Sequence, residues 1–107
     1  MQALKVIKLQ HSSRIYIPAD VFAKFSGVEK GEYYSKAYLS LDCTDGILTL
    51  VIDEHGEGAP VTVHSKRVKA GWYLRYVTIP FVLYKMLGDR NLVIDSVGRG
   101  FMSLKVL

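Results

Sequence analysis

The chain has 107 residues and a formal net charge of +4, the size of a single domain. Half of its residues are hydrophobic, but no apolar run approaches the ~18–20 residues that a membrane-spanning helix needs, so a helical membrane protein is excluded. The N-terminal residues alternate polar and apolar, which predicts a strand and not a secretion signal. The single cysteine, Cys43, excludes an internal disulfide, and we expect a cytoplasmic location.

The first half of the chain predicts paired strands around one short helix. Its strands are predicted over residues 4–9, 15–17, 33–41 and 47–52. The helix follows Pro18, whose fixed φ and missing N–H suit a first helical turn, and it ends at Gly27, which tolerates a left-handed cap. Its apolar stripe is Val21, Phe22 and Phe25. Asp45-Gly46 is the strongest hairpin signal in the chain.

The second half follows an acidic segment, residues 54–60, which predicts a linker because it combines glycine, proline and charge. Strands are predicted to resume at residues 61–63, to turn at residues 69–71 and to reach Pro80. A second helix then ends at Gly88, with an apolar stripe predicted at Phe81, Tyr84 and Leu87 and with Leu83 on its flank. The last strands are predicted over residues 92–94 and 101–106, joined by a glycine-rich turn at residues 96–100.

One short pattern thus occurs twice. Residues 13–18 and 75–80 both end in Ile-Pro after an alternating run, and each is followed by about two helical turns and a glycine. Such a unit is too small to bury its own apolar face, so two copies predict one pseudo-symmetric body. We therefore expect a single domain over residues 1–107, with half one at 1–53, a linker at 54–60 and half two at 61–107.

The charged residues are distributed in step with this repeat. Residues 1–19 and 58–88 contain eight cations and no carboxylate, whereas the rest of the chain has six cations against ten carboxylates. A charge distribution that follows a repeat predicts one positive face. Tyr16, Tyr73 and Tyr76 lie in or near these two windows, where they could stack on bases or serve as cross-strand partners.

Signals for catalysis or cofactor binding are missing from the sequence. The three histidines have no metal-ligand spacing, and no second cysteine could assist them. No glycine-rich run ends in Gly-Lys-Ser/Thr, and Gly98-Arg99-Gly100 is more typical of a hairpin turn than of a phosphate loop. Ser12 and Ser13 lie near His11, but a triad also needs a positioned third group and an oxyanion hole. We expect no enzymatic activity, no cofactor, no metal site and no small-molecule substrate.

The Ile-Pro, short helix, Leu-Gly and Asp-Gly signals together resemble the AbrB/MazE/SpoVT swapped-hairpin family. Thr78-Ile79-Pro80 followed by Leu87-Gly88 is similar to that family's spacing, and Ile17-Pro18 to Gly27 is similar with one insertion. The resemblance implies interlaced four-stranded units whose N-terminal hairpins form a basic DNA-binding surface. The family has one copy per chain, whereas two copies resemble the tandem MraZ-type regulators. The basic positions of the family would correspond to Lys8, Arg14, Arg67, Lys69 and Arg75.

We therefore expect a mainly β protein with two short helices, a swapped-hairpin AbrB-like barrel of two pseudo-symmetric ββαββ halves. The expected function is binding of double-stranded DNA as a transcriptional regulator, by a homodimer or an intramolecular pseudo-dimer. The residues expected to contact DNA are Lys5, Lys8, His11, Arg14, Lys66, Arg67, Lys69 and Arg75. The alternative is a double-psi or cradle-loop barrel that binds a protein or a ligand and not DNA.

Overall fold

A computed structural model describes residues 3–4, 6–9, 12–42, 44–52, 58–88 and 90–107. Within these segments the protein forms nine strands and two helices. The strands are β1 (Ala3–Leu4), β2 (Val6–Lys8), β3 (Ser13–Tyr16), β4 (Tyr33–Asp42), β5 (Ile47–Val51), β6 (Ala59–Lys69), β7 (Trp72–Ile79), β8 (Leu92–Gly98) and β9 (Phe101–Val106). The helices are α1 (Ala19–Ser26) and α2 (Phe81–Leu87). The expected class, mainly β with two short helices, is confirmed.

The described strands belong to one antiparallel sheet in the order β1-β8-β9-β5-β4-β6-β7-β3-β2. β1 and β2 stand at opposite ends of this order, yet Leu4 and Val6 are separated by one residue in the chain. Their Cα atoms are therefore at most ~7 Å apart. One N-terminal segment thus pairs with β8 at its start and with β3 at its end. The sheet curls so that its two edges approach each other at this segment.

One face of the curled sheet, called here the core face, carries the buried apolar side chains. β3, β4, β6 and β7 alternate buried and more exposed residues along much of their length, the pattern of strands with one face in the core. The register brings Val63 of β6 opposite Val77 of β7, and Val77 opposite Ile15 of β3. Each such buried side chain stabilises the fold by about 1.5–3 kcal/mol. The opposite face of these four strands is called the outer face.

The first helix has the bounds that the sequence predicts. Pro18 precedes it in an extended conformation, and Gly27 ends it with a left-handed φ of 77°, donating its backbone N–H to the carbonyl oxygen of Ala23. Phe22 and Phe25 are 1% exposed and belong to the core. This part of the predicted apolar stripe is therefore confirmed, and Val21 packs against the core while remaining half buried.

The second helix also has the predicted bounds, but its predicted stripe was wrong in part. Leu83 and Leu87 are its buried residues, whereas Phe81 is 43% exposed and Tyr84 is half buried. Leu83 and Leu87 are four positions apart and so share a helix face. Because that face meets the sheet, Phe81 at the start of the helix lies outside it and stacks on Tyr84 instead, with ring centroids 5.7 Å apart.

The predicted linker and the predicted glycine-rich turn both need correction, and Lys69, predicted as part of a turn, is the last residue of β6. Strand β6 begins at Ala59, so the last two residues of the predicted linker are strand, while residues 54–57 lie outside the described residues. Strand β8 continues to Gly98, which reduces the predicted turn at residues 96–100 to Arg99 and Gly100. In both places the residues have weak strand signals in their own sequence, but they form a strand because they pair with a neighbouring strand of the sheet. The hairpin turn at Asp45-Gly46 is confirmed between β4 and β5.

Gly58, immediately before β6, is held in a conformation that suits glycine. Its φ is 113°, and a Cβ atom at this position would collide with the backbone carbonyl of Leu39. The chain therefore enters β6 directly against β4, the strand with which β6 pairs from Ala59 onward. This close approach fixes where the second half begins relative to the first.

Candidate nucleic-acid interface

The hairpin of β6 and β7 ends in a basic two-stranded segment, residues 66–75, which we call the ribbon. Four of its ten residues are Lys or Arg and none is Asp or Glu. Every residue from 66 to 72 is exposed. The two strands are joined at Ala70 and Gly71, where the φ of 77° at Gly71 allows the chain to reverse. The ribbon therefore presents a dense positive charge to solvent.

Strand register distributes the ribbon cations over both of its faces. Lys66 pairs with Leu74, and by alternation both lie on the outer face. Arg75 pairs with Ser65, a buried residue of the core face, and Arg67 lies two residues further along that same face. The guanidinium of Arg75 lies 5.8 Å from the ring centroid of Tyr73. Positive charge thus flanks the ribbon on two sides.

The tip of the ribbon combines a cation with exposed apolar side chains. The register shifts between Arg67 and Lys69, so that Lys69 pairs with Trp72. Trp72 is 64% exposed and Val68 is 56% exposed, and the ammonium of Lys69 lies 5.2 Å from the indole centroid. A bulge of this kind changes the direction in which neighbouring side chains point.

Arg14 is directed to the outer face, where it covers an aromatic ring. Its guanidinium carbon lies 4.0 Å from the ring centroid of Tyr76, and Nη1 donates a hydrogen bond of 3.4 Å to the hydroxyl of Tyr16. Its Nε is buried and has no hydrogen-bond partner among the described residues. Arg14 and Arg75 occupy positions that differ by one residue between the repeats, so strand alternation places them on opposite faces.

Lys8 lies far from the ribbon. Its ammonium is 5.5 Å from the ring centroid of Phe81, at the start of α2. Lys8 pairs with Ser13 of β3, which pairs with Ile79 of β7, and Ile79 is seven positions along β7 from Trp72 at the ribbon tip. At 3.3 Å per residue this separation is about 23 Å. Lys5 and His11, also expected to contact DNA, lie outside the described residues.

The structure therefore brings four of the eight expected residues together, namely Lys66, Arg67, Lys69 and Arg75. Arg14 lies on the neighbouring strand, β3, and Lys8 lies near the opposite end of β7. The expected positive surface is concentrated in the hairpin of β6 and β7. A contact of any of these residues with DNA stays a prediction.

A row of four aromatic rings crosses the outer face beside the ribbon. Strand pairing aligns Tyr34, His64, Tyr76 and Tyr16 on four adjacent strands. Tyr34 and His64 meet edge to face at 5.2 Å between ring centroids, His64 stacks on Tyr76 at 4.8 Å, and Tyr76 meets Tyr16 edge to face at 5.8 Å. Such cross-strand pairs stabilise a sheet by about 0.2–1 kcal/mol each. Tyr16 and Tyr76 are thus cross-strand partners.

The surroundings of His64 in this row favour the neutral imidazole. Burial lowers its pKa below the ordinary value, and the positive charges of Arg14 and Lys66 lower the pKa further. Its Nε2 lies 2.8 Å from the hydroxyl of Thr62, and either atom can be the donor, depending on the imidazole tautomer. Sequence alone gives no sign of this environment, because it depends on the register of β3, β6 and β7.

The lowered pKa of His64 predicts a loss of stability in acid. The unfolded chain binds the proton more readily than the folded protein, so stability is fully present above the ordinary pKa of 6.5 and falls as the pH drops toward the lowered value. We expect His64→Gln to reduce the change in the free energy of unfolding between pH 7.5 and pH 5. Urea titrations of both proteins at the two pH values measure this, and an unchanged difference in the variant would contradict it.

A groove of about 550 Å³ lies beside the aromatic row. It is bordered by Lys36, Thr62 and Thr78, whose strands are paired, and by Pro80 and Phe81 at the start of α2. Its size falls within the range of small-molecule sites. Lys36 supplies the one cationic side chain among the described residues that line it.

Among the residues that the structure describes, no group of three or more His, Cys, Asp or Glu side chains is placed to hold a metal ion. In the same part of the chain, neither helix has the length and apolar character needed to cross a membrane. Comparison of the chain with protein-family models, with curated proteins and with solved structures finds no match in any of the three.

Proposed function

We propose that this protein binds double-stranded DNA and acts as a transcriptional regulator, with the ribbon as its main contact surface. The observation that carries the proposal is the ribbon itself: four cations within ten exposed or half-exposed residues, with no carboxylate among them. A two-stranded β-ribbon fits the B-DNA major groove, which is about 12 Å wide. Cations on both faces of the ribbon would then meet the phosphates of the two strands that border the groove.

We further propose that the chain is an internal duplication with the swapped-hairpin arrangement of the AbrB type. Strand pairing supports this. Adding 62 to the residue number converts Pro18 into Pro80, and the same operation relates the pair Arg14–Thr78 to the pair Tyr16–Tyr76. The pair Ile15–Val77 is converted into itself, as expected for a pair on a two-fold axis.

The remaining pairings agree with this symmetry. The hairpin of β2 and β3 corresponds to that of β6 and β7, and the hairpin of β4 and β5 corresponds to that of β8 and β9. The contact of β4 with β6 corresponds to that of β8 with β1, and β5 pairs with its own counterpart β9. In this arrangement one chain supplies both members of an interlaced pair, and a homodimer would double the number of ribbons.

One observation favours a second candidate function. The groove of about 550 Å³ on the outer face suits a ligand-binding or protein-binding barrel. In this second function the binding surface is the groove at Lys36, Thr62 and Thr78, and the ribbon cations have no role in binding. The two functions therefore differ in the surface on which they depend.

Titration of a labelled 20-base-pair duplex tests the proposal. Four phosphate contacts from the ribbon predict a slope of about −3.6 for log affinity against log salt concentration, since each contact contributes about −0.9. Affinity should then fall about 150-fold between 50 and 200 mM salt. Fluorescence anisotropy at three or more salt concentrations measures the slope. Failure to bind any duplex at 50 mM salt would remove the proposed function and favour the groove.

A further inference from the structure

We infer that Trp72 contacts the bases of the bound nucleic acid, with its indole stacking on or between them at the tip of the ribbon. The inference rests on the proposed function and adds a role that phosphate contacts do not supply. Trp72 is the most exposed of the large hydrophobic residues among the described ones, at 64%. It follows the Ala70–Gly71 turn directly and therefore lies at the end of the hairpin.

The positive charge of Lys69 beside the indole indicates which class of partner Trp72 contacts. The ammonium of Lys69 lies 5.2 Å from the centroid of the indole ring, so a cation stands directly beside the apolar tip of the ribbon. Insertion into lipid hydrocarbon would bury that ammonium with the indole, at a substantial cost in free energy. A nucleic acid removes the conflict, because it offers flat apolar bases to the indole and phosphates to Lys69 within a few ångströms of each other.

The distribution of cations over the two faces of the ribbon also favours a nucleic acid as the partner. Lys66 lies on one face, whereas Arg67 and Arg75 lie on the other, and the indole lies beyond them at the end. A groove bordered by two phosphate strands presents negative charge on both sides and bases at its floor. An apolar side chain inserted at a base step unstacks it, so sites with a flexible or already interrupted stack should bind best.

The experiment uses the intact chain and its intrinsic fluorescence. Trp72 is the one tryptophan in the sequence, so emission excited at long wavelengths where tyrosine does not absorb reports on the ribbon tip. The probes are a 20-base-pair duplex and the same duplex with one unpaired adenine. We expect both to quench the emission and the interrupted duplex to bind more tightly. Trp72→Ala should weaken binding by about 5- to 150-fold, the range for loss of one base–aromatic stack, while the salt slope stays unchanged.

Control variants separate stacking from folding and from charge. Trp72→Phe should recover part of the affinity, because a phenyl ring still stacks. Phe101→Ala removes an aromatic ring that is 39% exposed but lies on β9 and not on the ribbon, and it should leave duplex binding unchanged. Circular dichroism of each variant verifies that the fold is retained.

Three results would overturn the inference. The first is a salt-dependent duplex complex in which the emission is unquenched and Trp72→Ala binds as tightly as the parent protein, which leaves the proposed function intact. The second is binding to phosphatidylserine vesicles that shifts the emission of the parent protein to the blue and that Trp72→Ala weakens in a vesicle co-sedimentation assay, while duplex affinity is unaffected. The third is no binding of any duplex by the parent protein, which removes the proposed function as well.

Discussion

Separating the chain between Val51 and Ala59 is expected to leave neither half folded on its own. Among the described strands there are eight pairings, and four of them join strands of different halves. Each isolated half would keep two hairpins and one short helix. A lone hairpin is marginally stable in water, and each half would expose the core face that its partner covers.

Circular dichroism and size-exclusion chromatography of residues 1–52 and 58–107 measure this directly. We expect each piece alone to be unfolded or self-associated, and an equimolar mixture to recover the spectrum of the intact chain. The control is the intact chain with six Gly/Ser residues inserted after position 56. Lengthening a loop costs only about 0.6 kcal/mol per doubling, so this variant should stay folded. Two monomeric halves with native-like spectra would mean two independent domains.

Local signals in the sequence predicted the helices well. Both follow an Ile-Pro and end at a glycine, and the structure places them at Ala19–Ser26 and Phe81–Leu87 as predicted. Such signals act over a few residues, because proline fixes φ and glycine alone accepts the left-handed cap without strain. The Asp45-Gly46 hairpin was predictable for the same reason.

The geometry of the candidate site depended on contacts that no local signal encodes. Arg14 and Arg75 appear equivalent in the sequence, but an offset of one residue sends them to opposite faces of the sheet. The aromatic row required the register of four strands, and that register is set by burial of the core face over the whole sheet. Composition identified the charge of residues 66–75, whereas only the structure showed that this charge lies on both faces of one projecting ribbon.

Replacing the four ribbon cations with glutamine is expected to abolish most duplex binding. The change converts Lys66, Arg67, Lys69 and Arg75 to Gln. By counterion release, four phosphate contacts are worth about 4,000-fold in affinity at 0.1 M salt, and their loss should make the salt slope about 3.6 less steep. These side chains are exposed or half-exposed, so the free energy of unfolding should change little.

A matched variant determines whether position or total charge is responsible. Lys24, Lys85, Arg90 and Lys105 are exposed and lie outside the ribbon, and converting them to Gln lowers the net charge by the same four units. Because the Debye length is about 10 Å at 0.1 M salt, charges far from the bound duplex contribute little. This control should therefore lose less than about tenfold in affinity. Equal losses in both variants would show that attraction by net charge, and not the ribbon, holds the DNA. A large loss confined to the ribbon variant would instead tie binding to the one part of the sheet that carries cations on both faces.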